Sequence, residues 1–143
     1  LHQPMWYRTN YAPWEKGRLW LGSAFVAIPT EEQYGLLSAI NLSTGKVAWQ
    51  VKVPQPMMGG TLSTAGGLTF TGEGNGNFNA YDSKSGKLLW TFNAGAGCNS
   101  APMSFKHKGE QMIGVACGGN YQLNYPLGSA VMFFGLPKST ASK

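Results

Sequence analysis

The sequence contains few of the side chains from which enzymes build acid–base or metal sites. Its 143 residues include one aspartate, five glutamates, two histidines and two cysteines. The aspartate, Asp82, falls in a predicted turn, while His2 and His107 are far apart and neither has metal-ligand spacing. No paired carboxylate, Ser/His/Asp set or Cys/His set can be assembled. We therefore expect no catalytic residue and no metal ligand in this segment.

Long apolar runs and basic clusters are also missing. No apolar run approaches the ~18 residues of a membrane span, and no helical apolar pattern lasts beyond two turns. The net charge of +5 comes from scattered lysines and arginines, without the alternation of basic and aromatic side chains typical of nucleic-acid binding. We expect a solvated basic face and no nucleic-acid partner; a docking surface for an acidic partner is the alternative.

Glycine and aromatic residues are abundant instead. The chain has 20 Gly, 8 Pro, 5 Trp, 6 Tyr and 7 Phe, and short apolar or alternating runs lie between Gly, Asn and Pro clusters. This pattern predicts an all-β fold with many short strands. The predicted strands are Leu19–Ala27, Gly35–Asn41, Val47–Val53, Leu68–Gly72, Phe78–Asp82, Leu88–Asn93, Ala101–Lys106, Gln111–Ala116 and Ala130–Leu136.

An eleven-residue pattern occurs twice, at Ala39–Trp49 and at Ala80–Trp90. Alanine, glycine, lysine and tryptophan are identical in the two copies, and the offset of 41 residues matches the period of β-propeller blades. Each copy predicts a strand, a tight turn and a second strand. At this period the whole chain, residues 1–143, would form about three to three and a half blades, whereas propellers close with about four to eight. Because the chain also begins at Leu1 without an initiator Met or a signal peptide, we expect it to be part of something larger.

The repeat assigns structural roles to its most distinctive residues. Gly45 and Gly86 would supply the positive φ that closes each turn, which Asn41 or Asp82 begins. Large, flat Trp49 and Trp90 suit the seam between neighbouring sheets. Small alanines at Ala39 and Ala80 would let a neighbouring tryptophan lie close. We expect both tryptophans to be structural.

Cys98 and Cys117 flank a predicted hairpin with a polar tip at His107–Glu110. With the hairpin centre between His107 and Lys108, the two cysteines face each other, and opposed residues in an antiparallel pair are close enough for a disulfide. A one-residue slip in register would place their side chains on opposite faces. Two buried free thiols are therefore the alternative.

The remaining candidate motifs predict loops. The glycine-rich stretch Gly72–Gly76 lacks the following helix that a phosphate-binding loop requires, so we expect a hairpin loop. The glutamates all lie in polar, loop-like contexts. They are Glu15, Glu31, Glu32, Glu73 and Glu110.

The repeat and its flanks resemble the pyrroloquinoline quinone (PQQ) dehydrogenases. The eleven-residue pattern is similar to the family's tryptophan-docking motif. Further matches are a Gly-Gly-Thr stretch of the penultimate blade, a Pro-Met hairpin ending in Gly-Gly of the last blade, the closing strand and, more weakly, an earlier segment. The Gly-Gly-Thr stretch lies at Met58–Leu68 and the two strands of the hairpin at Ala101–Phe105 and Lys108–Gly119. The closing strand lies at Leu127–Pro137 and the earlier segment at Trp14–Ala24.

This resemblance implies an eight-bladed propeller of a periplasmic dehydrogenase, of which the chain is the C-terminal portion with three to four blades. In such enzymes PQQ lies near the propeller axis with Ca²⁺ or a lanthanide ion, and a carboxylate base helps hydride move from an alcohol or sugar to the quinone. The metal ligands and the base come from earlier blades. The implied partners are the remaining blades on another chain, a cytochrome or quinone electron acceptor and a small alcohol or sugar substrate.

Two glycine pairs carry the resemblance to the cofactor pocket. The residue before Gly59-Gly60 and the residue after Gly118-Gly119 flank PQQ in the family. Here they are Met58, a soft surface for an aromatic face, and Asn120, whose amide could donate to a carboxylate or carbonyl. Ordinary core packing and a loop amide are the alternatives. Methanol dehydrogenases look to have Trp at both places, and glucose dehydrogenases look to have His at the second. This chain departs from both patterns, so the resemblance leaves the substrate open and makes methanol less expected.

A non-enzymatic propeller of the same repeat family, such as the scaffold lipoprotein of outer-membrane protein assembly, is the alternative function. That class shares the tryptophan repeat but needs neither the residues beside the glycine pairs nor the Pro-Met hairpin.

Overall fold

The computed structural model describes residues 1–7, 13–18, 20, 22 and 25–136. The described residues form eleven β-strands and no helix, which confirms the predicted all-β class. The strands are β1 (Met5–Tyr7), β2 (Phe25–Ala27), β3 (Gly35–Ile40), β4 (Val47–Val53), β5 (Thr61–Ser63), β6 (Leu68–Gly72), β7 (Asn77–Asp82), β8 (Leu88–Asn93), β9 (Met103–His107), β10 (Glu110–Cys117) and β11 (Ala130–Gly135).

Within each sheet, strands that follow one another in the chain pair in an antiparallel manner, as they do in propeller blades. Strands β5–β8 form a four-stranded sheet in chain order, and β9–β11 form a three-stranded sheet with β10 in the middle. Strands β3 and β4 form a hairpin, and β1 pairs with β2. A bridge between His2 and Tyr34, whose rings stack with centroids 4.6 Å apart, joins the first residues to the start of β3.

Every predicted strand has a counterpart, with one large change in length. Of the predicted strand Leu19–Ala27, only Phe25–Ala27 is a strand, and residues 19, 21, 23 and 24 lie outside the described residues. The three-residue strands β1 and β5 were not predicted, because three residues are too few to establish an alternating pattern.

The two repeat turns have the same geometry. Asn41 Oδ1 accepts hydrogen bonds from the backbone N–H groups of residues 43 and 44, at 2.9 and 3.2 Å. Asp82 Oδ1 does the same for residues 84 and 85, at 3.2 and 2.8 Å. Gly45 and Gly86 have φ values of 66° and 71°. The short polar side chain therefore begins each turn and the glycine closes it, as the repeat predicts.

Trp49 connects the first repeat to the second. Its indole Nε1–H donates to Ser83 O at 3.0 Å. A Cβ atom at Gly86 would lie 2.6 Å from Trp49 Cε3, so the ring packs directly against this glycine. Small Ala39 is the cross-strand partner of Trp49 within its own hairpin. The indole thus lies at the seam between two sheet units, in contact with the turn of the next repeat.

Trp90 lies at the next seam, between the sheet β5–β8 and the sheet β9–β11. Its ring is 5.1 Å from Phe134 and 6.2 Å from Phe78, and 40% of the residue is exposed. Together with Ile113 it lines an apolar cavity of about 400 Å³. The buried core beside this cavity contains Phe78, Val115 and the two cysteines.

Among the residues that the structure describes, no helix has the length and hydrophobicity needed to cross a membrane.

Candidate functional site

Four connecting loops contact one another and form what we call the loop cluster. They are residues 54–60 after β4, 73–76 between β6 and β7, 94–102 after β8 and 118–129 between β10 and β11. Gly119 N–H donates to Gly97 O at 2.9 Å, and Gly97 N–H donates to Pro126 O at 2.9 Å. Cys98 N–H donates to Glu73 O at 3.0 Å. Loop 94–102 is therefore bonded through its backbone to two of the other loops.

A disulfide between Cys98 and Cys117 reinforces the loop cluster. The two Cα atoms are 4.1 Å apart, and both residues are almost fully buried, with 0% and 1% of their surface exposed. The bond joins loop 94–102 to the last residue of β10, immediately before Gly118. The predicted disulfide is confirmed, and the alternative of two free thiols is wrong.

The register from which this disulfide was predicted is wrong. His107 pairs with Glu110, so the hairpin centre lies between Lys108 and Gly109 instead of between His107 and Lys108. The regular pairing of β9 with β10 ends at Met103 and Gly114. Cys98 lies outside β9, in a loop that folds back over β10, and it reaches Cys117 from there. The disulfide therefore joins a loop to a strand and is not a cross-strand pair.

The two glycine pairs pack against other parts of the loop cluster. A Cβ atom at Gly59 would lie 3.3 Å from Cys98 O, and one at Gly60 would lie 2.7 Å from Ala101 Cβ. At Gly119 a Cβ atom would lie 2.1 Å from Pro126 O, whereas one at Gly118 would lie 3.5 Å from Gly128 O. Contacts between loops at Gly59 and Gly60, and a contact within loop 118–129 at Gly119, therefore explain three of these glycines without a ligand.

Met58 and Asn120 differ in how much of their side chain is available. Met58 is 52% exposed within this chain. Asn120 is half-buried, and its Oδ1 accepts a hydrogen bond from Leu123 N–H at 3.1 Å. Its Nδ2 group has no hydrogen-bond partner among the described residues. One end of the amide thus stabilises the loop and the other end remains a donor.

Tyr125 holds three of the loops together, and no sequence pattern indicates this role. Only 4% of the residue is exposed. Its hydroxyl donates to Pro56 O, and its backbone N–H donates to Asn120 O at 2.9 Å. The ring lies flat on Gly74, where a Cβ atom would be 2.5 Å from Tyr125 Cζ. Burial raises the pKa of the Tyr125 hydroxyl to about 12, so the group remains protonated and able to donate.

Glu73 lies in the loop between β6 and β7, as predicted, but its carboxylate is buried. It is 7% exposed. Glu73 Oε1 accepts a hydrogen bond from Asn79 Nδ2, and Oε2 accepts one from Asn75 Nδ2 at 3.0 Å. Burial, followed by the charge of Glu73, raises the pKa of Tyr81, whose hydroxyl is 3.5 Å from Glu73 Oε1. The carboxylate is therefore held in a network of neutral donors within one hairpin.

Two side chains of the loop cluster have the chemistry to contact a planar, anionic group such as PQQ. The four loops contain no Lys, Arg or His. They offer the exposed thioether of Met58 for an aromatic face and the Nδ2 group of Asn120 for a carboxylate or carbonyl at the edge. Positive charge to balance the carboxylates of PQQ has to come from residues outside the loop cluster or from a metal ion. Within the described ranges, no group of three or more His, Cys, Asp and Glu side chains could hold a metal ion.

Comparison with known families decides the classification. The family model described as the glucose/ethanol/alcohol dehydrogenase β-propeller domain, for PQQ enzymes, matches residues 7–113. The chain belongs to the PQQ dehydrogenase β-propeller family. This confirms both the resemblance and the propeller fold.

Comparisons with individual relatives support this family assignment. The chain is similar to a quinoprotein ethanol dehydrogenase of Pseudomonas aeruginosa, with 42% identity over 113 residues, which is 78% of this chain and 18% of the relative. It is also similar to the crystal structure of a quinohemoprotein alcohol dehydrogenase from Comamonas testosteroni, with a TM-score of 0.67 and 29% identity over 80% of this chain and 18% of that one. A europium-containing methanol dehydrogenase superposes with a TM-score of 0.68 and 29% identity, covering 80% of this chain and 21% of that one. The chain therefore spans about a fifth of the length of the relatives it matches.

Proposed function

We propose that this chain is the C-terminal part of the propeller of a PQQ-dependent dehydrogenase that oxidises an alcohol or a sugar. The observation that carries the proposal is the 42% identity to a quinoprotein ethanol dehydrogenase over 78% of the chain. An alcohol is the favoured substrate because that relative is an ethanol dehydrogenase. A non-enzymatic scaffold is less well supported, because the relatives described above are named as dehydrogenases.

In this proposal the loop cluster forms one wall of the cofactor pocket. PQQ, when bound, supplies the quinone that accepts hydride from the substrate carbon. Met58 contacts the ring face, Asn120 donates from Nδ2 to an acidic or carbonyl group, and the backbone of Gly59, Gly118 and Gly119 keeps the wall close and excludes water. The residues of this chain therefore bind and orient the cofactor, and they do not take or give the substrate proton.

The remaining components of the enzyme come from outside this chain. Ca²⁺ or a lanthanide ion, its ligands and the carboxylate base belong to other blades, on the same polypeptide or on a partner chain. The solved relative that contains europium supports a metal ion at such a site. A cytochrome or a quinone would accept the electrons. The buried disulfide suits an oxidising compartment, in agreement with a periplasmic location.

The experiment is a titration of PQQ into the metal-loaded, PQQ-free propeller, with Asn120 varied. Asn120→Asp keeps the acceptor that holds Leu123 N–H but replaces the Nδ2 donor with a negative charge. We expect a ten- to hundredfold higher Kd for PQQ, because a lost hydrogen bond to a charged group costs about 1.5–3 kcal/mol. Gln122→Ala, an exposed change in the same loop, is the matched control and should leave the Kd unchanged.

Titrations of the wild type and of Asn120→Asp distinguish an error in the role of Asn120 from an error in the proposed function. A Kd unchanged by Asn120→Asp would remove Asn120 from the site. A wild-type propeller that binds no PQQ in the presence of Ca²⁺ or a lanthanide would refute the proposed function itself.

A further inference from the structure

The residue that connects the two ends of the proposed pocket wall is neither Met58 nor Asn120. The chain segments carrying these side chains are far apart in sequence, and Tyr125 contacts both. Its hydroxyl is bonded to Pro56 O, across 69 residues of sequence, two positions before Met58. Its backbone N–H is bonded to Asn120 O.

We propose that Tyr125 is the positioning residue of the cofactor pocket, fixing Met58 relative to Asn120 through its bond to Pro56 and its packing on Gly74. The inference rests on the proposed function, because it assumes that these two side chains contact PQQ. Only 4% of Tyr125 is exposed, so it acts through its neighbours.

The contacts of Tyr125 reach three sheet units of the chain. Pro56 follows β4 of the first hairpin, Gly74 lies in the β6–β7 loop of the sheet β5–β8, and Asn120 follows β10 of the last sheet. The side chain is anchored at its tip by the hydroxyl and along its length by the ring on Gly74, and the backbone of the same residue is anchored by the Asn120 bridge. A residue held at three points permits little movement of the loops that it joins.

The hydroxyl is the part of this arrangement that can be removed selectively. The ring stays on Gly74 in Tyr125→Phe, while Pro56 O loses its donor in a buried position. An unpaired buried carbonyl carries a free-energy penalty, so loop 54–60 should shift until the carbonyl reaches water. Met58 would move with it, because only one residue separates it from Pro56.

The test compares PQQ affinity in the assembled, metal-loaded propeller for wild type, Tyr125→Phe and Tyr121→Phe. Tyr121 is in the same loop and 87% exposed, so Tyr121→Phe controls for loss of a hydroxyl. We expect the PQQ Kd to rise about tenfold in Tyr125→Phe and to stay unchanged in Tyr121→Phe. All titrations are run well below the melting temperature of the PQQ-free protein, where a purely stabilising residue has no effect on affinity.

Replacement of Tyr125 with 4-aminophenylalanine provides the rescue, because its aromatic amine can still donate to Pro56 O. Restored affinity in this variant would support the bond as the cause, and it remains informative if Tyr125→Phe fails to fold. Equal PQQ affinity of wild type and Tyr125→Phe, or a weakened affinity that the amine does not restore, would overturn the positioning role. Absence of binding to wild type would instead overturn the proposed function.

Discussion

The contact between Trp49 and Gly86 should determine how firmly the first repeat is attached to the second. Gly86→Ala introduces two separate penalties. The φ of 71° is unfavourable for a residue with a Cβ, at about 1–2 kcal/mol. The new Cβ would also lie 2.6 Å from the Trp49 ring, and overpacking of this kind costs about 1–3 kcal/mol. We therefore expect Gly86→Ala to lower the free energy of unfolding by about 2–5 kcal/mol.

The chain offers a matched control for the backbone penalty. Gly109 has a φ of 83°, and a Cβ atom added there would meet no other atom within 4 Å, so Gly109→Ala should cost only about 1–2 kcal/mol. In a Trp49→Ala background the clash disappears, and Gly86→Ala should cost as little as the control. Urea unfolding followed by circular dichroism measures all four variants, and the double-mutant cycle isolates the contact. Equal costs for Gly86→Ala with and without Trp49 would refute the proposed docking of the indole on this glycine.

Two further predictions concern the loop cluster. Replacing Cys98 and Cys117 together with alanine should lower the free energy of unfolding by about 3 kcal/mol, because the disulfide closes a loop with a sequence separation of 19; reductant should have no effect on the variant in urea unfolding. The pKa of Tyr125 is about 12 in the folded protein, against an ordinary value of 10.0, so unfolding releases this proton and stability should fall as pH rises from 10.0 towards 12. Tyr125→Phe should show a smaller decline in melting temperature over that range, and an identical decline would contradict the assignment.

The fold was largely predictable because the repeat is a local pattern. An Asn or Asp, a Gly four residues later and a Trp four residues beyond it define a strand, a turn and a strand within eleven residues. The same side-chain and backbone interactions then form both turns. Strands β1 and β5 were missed because their pairing depends on neighbours in the sheet and not on their own three residues.

The arrangement of the loop cluster was much less predictable, because it depends on contacts between residues distant in sequence. The disulfide was predicted from a hairpin register that the structure does not have, and it forms because loop 94–102 folds over β10. The burial of Glu73 depends on Asn79 and Tyr81 of the next strand. The bond from Tyr125 to Pro56 spans 69 residues, and no local pattern indicates such a pair. The resemblance identified the loops at Met58 and Asn120 but not the residue that joins them.

If the loop cluster forms part of the PQQ pocket of a larger propeller, bound PQQ should protect its backbone amides from solvent. Hydrogen–deuterium exchange of the assembled, metal-loaded propeller, with and without PQQ, measures this protection, because each backbone amide reports separately. We expect PQQ to slow exchange in residues 58–60 and 118–120 and to leave the β9–β10 hairpin tip at residues 107–110 unchanged. Tight PQQ binding without added protection in either loop would contradict the account.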